Sequence, residues 1–219
     1  SVFAGCVPGR PAHKMPSVLC TPVDFVNVDG ITVVGERINP TGKKKLKEAY
    51  RTGDVGYVLR EAIGQVEAGA HILDVNAGVP GLDEPAVLDA TVQAIQGVTD
   101  VPLQIDTSDA EALARALRHY NGKALVNSVN GKDEVMDAVF PLVAKYGGVV
   151  VALTLDEVGI PPTAAGRLER ELAAINSVLN TPTEHLWLSA TEGSESYYLR
   201  RAAVLLPDMA VLRDASGLT

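Results

Sequence analysis

Short apolar segments alternate with helical segments along most of this chain, and this alternation most constrains its fold. Apolar strand candidates begin near residues 31, 70, 101, 124 and 148, and each is followed by apolar residues spaced three or four apart. A strand followed by a helix, repeated in this way, predicts a parallel sheet with right-handed crossovers. We therefore expect an α/β fold, either a TIM-type (β/α)8 barrel or a doubly wound open sheet.

The strand candidates are short and rich in β-branched residues. They are Ile31–Val34, Ala70–Val75, Val101–Ile105, Ala124–Val126 and Gly148–Leu153, with a sixth at Leu186–Leu188 and a weak seventh at Met209–Leu212. A barrel of this type usually needs about 250 residues. We therefore expect a barrel that is incomplete at its C-terminal end.

Helical spacing of apolar residues fills the intervals between these strands. It predicts helices near residues 55–66, 85–95, 113–117, 135–143 and 168–179. The apolar face predicted for the first of these helices consists of Val55, Leu59, Ala62, Ile63 and Val66. Asp83, Asp109 and Asp133 stand where a helix N-cap or a turn residue is expected.

The first thirty residues differ from the rest of the chain. Pro8, Pro11, Pro16 and Pro22 fall in this segment, which shows no helical period. Such a segment is typical of a linker or arm, so residues 1–30 are assigned to an arm and residues 31–219 to the barrel domain. No signal peptide is expected, and no apolar run approaches the roughly 18 residues that a membrane helix needs.

Charge and cysteine usage exclude several classes of partner. The chain has 27 acidic and 19 basic side chains and a formal net charge of −8, which argues against nucleic acid or an anionic membrane as partner. Cys6 and Cys20 are the two cysteines, too few for a disulfide scaffold or a zinc ribbon. The reducing cytoplasm is the expected compartment, and no metal site is expected.

Polar side chains cluster where the predicted strands end. Glu36 and Asn39 close the first strand, Asp74 and Asn76 the second, Asp106 the third and Asn127 the fourth. The carboxyl ends of parallel strands meet at one rim, where such folds bind ligands. A carboxylate accepts two parallel N–H bonds from an amino-pyrimidinone edge, and an amide complements it. Asp106 and Asn127 are therefore candidate ligand groups, while Asp74 and Asn76 could equally brace a neighbouring loop.

A lysine-rich segment follows the first strand. It resembles a phosphate-binding loop, but its glycines Gly35 and Gly42 are seven apart and Lys44 replaces the Ser or Thr of that motif. Two interpretations of Lys43–Lys45 stay open: a solvated helix start, or contact with an acidic tail of a ligand.

Four segments in chain order carry a resemblance to a known family. They are Val34–Gly42, Gly69–Asn76, Pro102–Ser108 and Ala124–Ser128. Together they resemble the pterin-binding domain of cobalamin-dependent methionine synthase and of the related methyltetrahydrofolate:corrinoid methyltransferases. The likeness covers residues 31–168. Beyond it, Ser189 stands where the family has an aspartate.

The resemblance implies a (β/α)8 barrel that binds 5-methyltetrahydrofolate. It further implies transfer of the N5 methyl group to a corrinoid (cobalamin) held on another domain or protein. A homocysteine-binding domain is another partner that it suggests. The substrate-binding residues it implies are Asp106 and Asn127 at the pterin edge, Gly42, Lys43 and Lys44 in a loop touching folate, Asp74 and Asn76 at the pocket floor, and Glu36 and Asn39 in the first motif.

Two alternatives to this function remain. A dihydropteroate synthase-like pterin enzyme would share the barrel and the aspartate after the third strand. A truncated barrel would have no activity of its own.

Overall fold

The computed structural model describes residues 18–28, 31–153, 155, 159–160 and 162–163, and the strand backbone at 186–189 and 199–200. The strands are β1 (Val18–Cys20), β2 (Phe25–Asn27), β3 (Val34–Ile38), β4 (Ile72–Val75), β5 (Leu103–Asp106), β6 (Ala124–Asn130), β7 (Gly148–Leu153), β8 (Leu186–Ser189) and β9 (Leu199–Arg200). The helices are α1 (Lys44–Thr52), α2 (Val55–Glu67), α3 (Glu84–Gln96), α4 (Ala110–His119) and α5 (Asp133–Tyr146).

The main sheet follows the order of the chain. Strands β3 to β7 each pair in parallel with the next strand along the sequence, and β8 pairs antiparallel with β9. Every crossover therefore advances the sheet in the same direction, as in a (β/α)8 barrel. A doubly wound sheet would reverse direction at a switch point. The predicted α/β class with a parallel sheet is confirmed, and the doubly wound alternative is wrong.

Strand boundaries depart from the sequence prediction at two places that matter for the site. The first barrel strand, β3, begins at Val34, and Ile31 is 96% exposed, so the predicted strand at 31–34 was placed too early. Strand β6 continues to Asn130, so Asn127 lies within a strand and not after one. The predicted helix at 168–179 and strand at 209–212 lie outside the described residues.

Aspartate side chains begin three of the helices. The carboxylates of Asp54, Asp83 and Asp109 accept backbone N–H bonds at the starts of α2, α3 and α4, which satisfies donors that have no helical partner. The capping roles expected of Asp83 and Asp109 are confirmed. Asp133 lies in the first turn of α5, and Lys132 occupies its N-cap. No helix within the described ranges is long and apolar enough to cross a membrane.

The buried face of α2 matches the prediction only in part. Ala62 is buried and Leu59 and Val66 pack against the core, as predicted. Val55 and Ile63 are exposed, and the helix buries Val58 and Gln65 in addition to Ala62. The Gln65 side chain accepts the Arg37 backbone N–H at 2.7 Å, which draws this face of α2 against β3. A Cβ atom at Gly35 would lie 2.7 Å from the Gln65 Oε1 atom, so glycine permits this approach.

A β-hairpin closes the amino-terminal end of the barrel. Strands β1 and β2 pair antiparallel, and Leu19 and Val28 pack with Ile72, Leu125 and Val149 inside the barrel. The interpretation of residues 1–30 as a linker or arm did not include this hairpin. Its strands have three residues each, so their stability comes from packing and not from local sequence.

Backbone hydrogen bonds fasten the hairpin to the sheet. The Cys20 N–H donates to the Lys123 carbonyl at 3.1 Å, and the Lys123 N–H donates to the Cys20 carbonyl at 2.9 Å. The Tyr120 hydroxyl also donates to the Cys20 carbonyl, at 3.0 Å. The hairpin is thus a fixed floor of the barrel.

The hairpin side chains Leu19 and Val28 form an apolar plug in the barrel. Truncating this plug should destabilise the fold. Leu19 is 0% exposed, and replacing a fully buried leucine by alanine costs about 2–5 kcal/mol of unfolding free energy. Urea unfolding of Leu19→Ala should show a loss of this size. Val23→Ala, at a hairpin position that is 74% exposed, is the control and should change stability by less than about 0.5 kcal/mol. Equal effects of the two substitutions would contradict the plug.

Candidate functional site

The barrel interior changes from apolar to polar towards the carboxyl ends of the strands. One interior layer holds Asp74 and Gln104, in register with Leu125. The next layer holds Asp106 on β5 directly opposite Asn127 on β6. Below both layers is the apolar plug of the hairpin. The polar groups therefore gather at the open end.

Two asparagine side chains hold the Asp106 carboxylate. Its Oδ2 atom accepts hydrogen bonds from Asn76 Nδ2 at 3.0 Å and from Asn39 Nδ2 at 3.3 Å. Both amides are oriented by backbone donors: Gly78 N–H donates to Asn76 Oδ1 at 2.9 Å, and Thr41 N–H to Asn39 Oδ1 at 3.0 Å. Each asparagine can therefore present only its NH2 group to the carboxylate. Among the described residues, nothing donates to the Oδ1 atom of Asp106.

Asn127 supplies a second group with no hydrogen-bond partner among the residues that the structure describes. Its side chain is half-buried at the carboxyl end of the barrel and makes no hydrogen bond to any described residue. Its backbone carbonyl accepts the Thr107 N–H at 3.1 Å, which keeps this part of β6 against the end of β5. Asp106 and Asn127 thus occupy paired positions on neighbouring strands, and no described residue bonds to the Asp106 Oδ1 atom or to the Asn127 amide.

Asp74 lies beneath Asp106 and is almost completely buried. Its side chain accepts a hydrogen bond from Gln104 Nε2, and the residue is 2% exposed. Burial, and then the charge of Asp106, raise the pKa of Asp74 to about 7, against the opposing effect of the Gln104 hydrogen bond. The carboxyl is therefore substantially protonated at neutral pH.

The pKa of Asp106 is also raised. Burial is the main cause, and the charges of Glu36 and Glu84 add to it. The hydrogen bond from Asn76 lowers the pKa in opposition, because it stabilises the charged form. Asp106 is only half-buried, so solvent reaches it at the open end.

The loop after β3 lies along the same rim. Lys43 Nζ donates to the backbone carbonyl of Glu36 at 2.7 Å, and the Glu36 side chain is exposed. Gly42, with φ +72°, and Lys44 are exposed, and no contact joins either to Asp106 within the described part of the chain. The structure thus gathers Asn39, Asn76, Asp106 and Asn127 at the rim with Asp74 below, and leaves Gly42 and Lys44 outside this cluster.

Sequence reasoning missed two members of the cluster. Gln104 is the buried partner of Asp74, and the Tyr50 hydroxyl donates to the Asn76 carbonyl at 3.0 Å. A signal for Gln104 was present, because a glutamine two residues before Asp106 points to the same side of an otherwise apolar strand. Tyr50 lies on α1 and had no such signal.

Known proteins match most of this chain. The family model for pterin binding enzymes matches residues 35–183. The chain belongs to this family. Methionine synthase of Mycobacterium tuberculosis is 33% identical over 78% of this pterin-binding chain and 15% of its own length. Methylcorrinoid:tetrahydrofolate methyltransferase of Eubacterium limosum is 34% identical over 63% of the chain and 51% of its own length. The chain therefore spans only part of these curated relatives.

Solved structures support the fold. Yersinia pestis dihydropteroate synthase with a pterine–sulfa conjugate matches with a TM-score of 0.61 at 19% identity, over 80% of this chain and 66% of that one. Burkholderia cenocepacia dihydropteroate synthase matches with a TM-score of 0.56 at 21% identity, over 81% of this chain and 63% of that one. At this identity the likeness shows a shared barrel fold and nothing of the reaction.

The raised pKa of Asp74 makes the stability of the fold depend on pH. In the folded state the carboxyl keeps its proton up to a pKa of about 7, whereas the unfolded chain loses it at about pH 4. Folding therefore takes up a proton in this window, and the contribution of Asp74 to stability falls as the pH rises. As the pH rises through this window, the free energy of unfolding of Asp74→Asn should increase relative to that of wild type, by up to about 1.4 kcal/mol per pH unit.

Urea unfolding at steps between about pH 4 and pH 7 measures this difference. Asp137→Asn is the matched control, because Asp137 is exposed on α5 and should follow the wild-type profile. A constant offset between Asp74→Asn and wild type across the window would show that Asp74 does not titrate in this way.

Proposed function

We propose that this chain binds the pterin ring of 5-methyltetrahydrofolate and serves as the folate module of a methyltransferase of the methionine synthase type. The observation that carries the proposal is the neighbouring pair of unused groups, the Oδ1 atom of Asp106 and the amide of Asn127. The amino-pyrimidinone edge of a pterin offers adjacent N–H donors to a carboxylate and further polar atoms to an amide.

Sequence similarity favours methyl transfer over the pterin condensation of dihydropteroate synthases. The methyltransferase relatives are 32–34% identical to this chain, whereas the matched dihydropteroate synthase structures are 19–21% identical. A dihydropteroate synthase-like reaction is therefore the second candidate. Incubation with a pterin pyrophosphate and p-aminobenzoate tests it directly, and product formation would favour it.

The proposed methyl acceptor is a corrinoid (cobalamin) carried by another domain or protein. When bound, the corrinoid supplies the nucleophile, cobalt(I), that accepts the methyl group. A homocysteine-binding domain is a further proposed partner, and the cytoplasm remains the predicted compartment. These proposals draw on relatives that are longer than the segment matched by this chain.

The barrel's contribution to such a reaction is orientation and electrostatics. The methyl carbon–N5 bond breaks with its electrons left on N5, so N5 becomes a better leaving group when it gains a proton or a strengthening hydrogen bond. Asp106 and Asn127 would fix the ring in the plane of the rim, which directs N5 and its methyl group towards an incoming acceptor. Gly42, Lys43 and Lys44 are proposed to contact the remainder of the folate, and Glu36 to contribute to its charge environment.

Replacing Asp106 by asparagine should weaken folate affinity. A hydrogen bond to a charged group contributes about 1.5–3 kcal/mol, so loss of the charged bond at Oδ1 predicts about tenfold to a hundredfold weakening. Calorimetric titration of wild type and Asp106→Asn with 5-methyltetrahydrofolate measures this, since asparagine keeps the shape but loses the charge. Asp137→Asn is again the control and should bind as wild type.

Each result of this titration has a separate meaning. Unchanged affinity in Asp106→Asn would exclude Asp106 as the pterin anchor. Absence of binding by a cooperatively folded wild-type chain would favour the remaining alternative, a barrel without activity of its own.

A further inference from the structure

Asp74 is a buried acid that makes none of the proposed pterin contacts. It is 2% exposed and lies one interior layer below Asp106, and Gln104 Nε2 donates a hydrogen bond to it. Asp106 lies two residues after Gln104 on the same face of β5, and Asn39 Nδ2 donates to Asp106 at 3.3 Å. After burial, the charge of Asp106 is the largest cause that raises the pKa of Asp74. Asp74 and Asp106 are therefore an interacting pair.

The charged groups around this pair are predominantly acidic. Glu36 faces it from β3, Glu84 from α3, and the Tyr50 side chain approaches from α1. In the rim loop, the ammonium group of Lys43 donates to the Glu36 carbonyl. In the ranges that the structure describes, no cation forms an ion pair with Asp74 or Asp106.

Two anions are costly in such surroundings. A buried carboxylate without a cation loses its hydration and regains only part of it from amide donors, so it tends to stay protonated. Of the two acids, Asp74 is the more deeply buried, and Asp106 has the more exposed position and two oriented amide donors. A single proton shared by the pair is therefore held best by Asp74.

We propose that Asp74 is a positioning residue that keeps the proton of the pair, leaves Asp106 as its charged member, and holds that proton more tightly when a pterin binds. The proposal rests on the proposed function, because the ligand is the one assigned there to Asp106. A pterin ring over Asp106 removes water from the rim and lowers the local dielectric, which makes a second anion beneath it still more costly. Binding is then coupled to proton uptake by Asp74.

This coupling has a definite sign. When the ligand increases the affinity of Asp74 for its proton, the protonated site must bind the ligand more tightly than the ionised site. Folate affinity should therefore fall as the pH rises through neutrality, by about tenfold for each unit by which binding raises the pKa of the carboxyl. A purely structural Asp74 would leave the profile flat.

Titration calorimetry with 5-methyltetrahydrofolate tests the coupling. Affinity is measured between about pH 6 and pH 8.5, and proton uptake is measured near pH 7 in two buffers of different ionisation enthalpy. Wild type should lose affinity by about threefold to tenfold across this range and take up a fraction of a proton. Asp74→Asn, which cannot titrate, should show a flatter profile and less uptake. Identical profiles and uptake in the two proteins would overturn the proposal.

Infrared difference spectroscopy of the free chain tests the proton itself. Wild type minus Asp74→Asn should show the C=O stretch of a protonated carboxyl group at about pH 6 that disappears above about pH 8. Absence of that band would overturn the proposal whatever the folate result. The band together with no folate binding would reject the proposed function and uphold Asp74 as the protonated member of the pair.

A second variant keeps the proposal testable if Asp74→Asn fails to fold. Gln104→Leu removes the amide donor to Asp74, which favours the protonated form further, so the wild-type band should persist to a higher pH. The pH at which folate affinity falls should move in the same direction. A shift to lower pH, or no shift, would contradict the assignment of the proton to Asp74.

Discussion

The register between β5 and β6 is the constraint on which the site depends. It places Asp106 directly opposite Asn127, and Gln104 opposite Leu125 one layer below. Side chains alternate strictly across a strand, so a slip of one residue would turn Asp106 outwards to the helices and bring Ile105 into the interior. The apolar contacts on both faces of the sheet hold this register. Apolar packing, which includes no candidate ligand-binding side chain, thus sets the positions of Asp106 and Asn127.

The apolar plug and the polar rim depend on each other. Leu19 and Val28 close the amino-terminal end of the barrel and join the interior cluster with Ile72, Leu125 and Val149. Water is thereby kept from the underside of Asp74, which is why its pKa is raised chiefly by burial. At the other end, oriented amides stabilise Asp106 and leave one of its oxygens available. The same barrel therefore places one carboxyl group in a dry layer and the other at a half-exposed rim with two amide donors.

Several features were predictable because they follow from local pattern. The alternation of apolar strands and helical periods predicted the parallel sheet, and the capping aspartates Asp83 and Asp109 followed from their positions before helices. The proximity of Asp106 and Asn127 was predictable because the carboxyl ends of parallel strands meet. The start of β3 was misplaced, since Ile31 is apolar and β-branched yet exposed. The predicted face of α2 was wrong at Val55 and Ile63, which are exposed, and it did not include Gln65, which bonds to β3.

By itself, the sequence determined the class of fold and the types of group at the strand ends, because period and residue chemistry are properties of the chain. Only the tertiary structure decided how those groups divide their roles. Nothing in the order of residues shows that Asn39 and Asn76 both donate to one oxygen of Asp106, or that Asp74 pairs with Gln104 in a dry layer. These relations join residues about thirty or more apart in sequence, and burial, which sets their charges, exists only once the strands have packed.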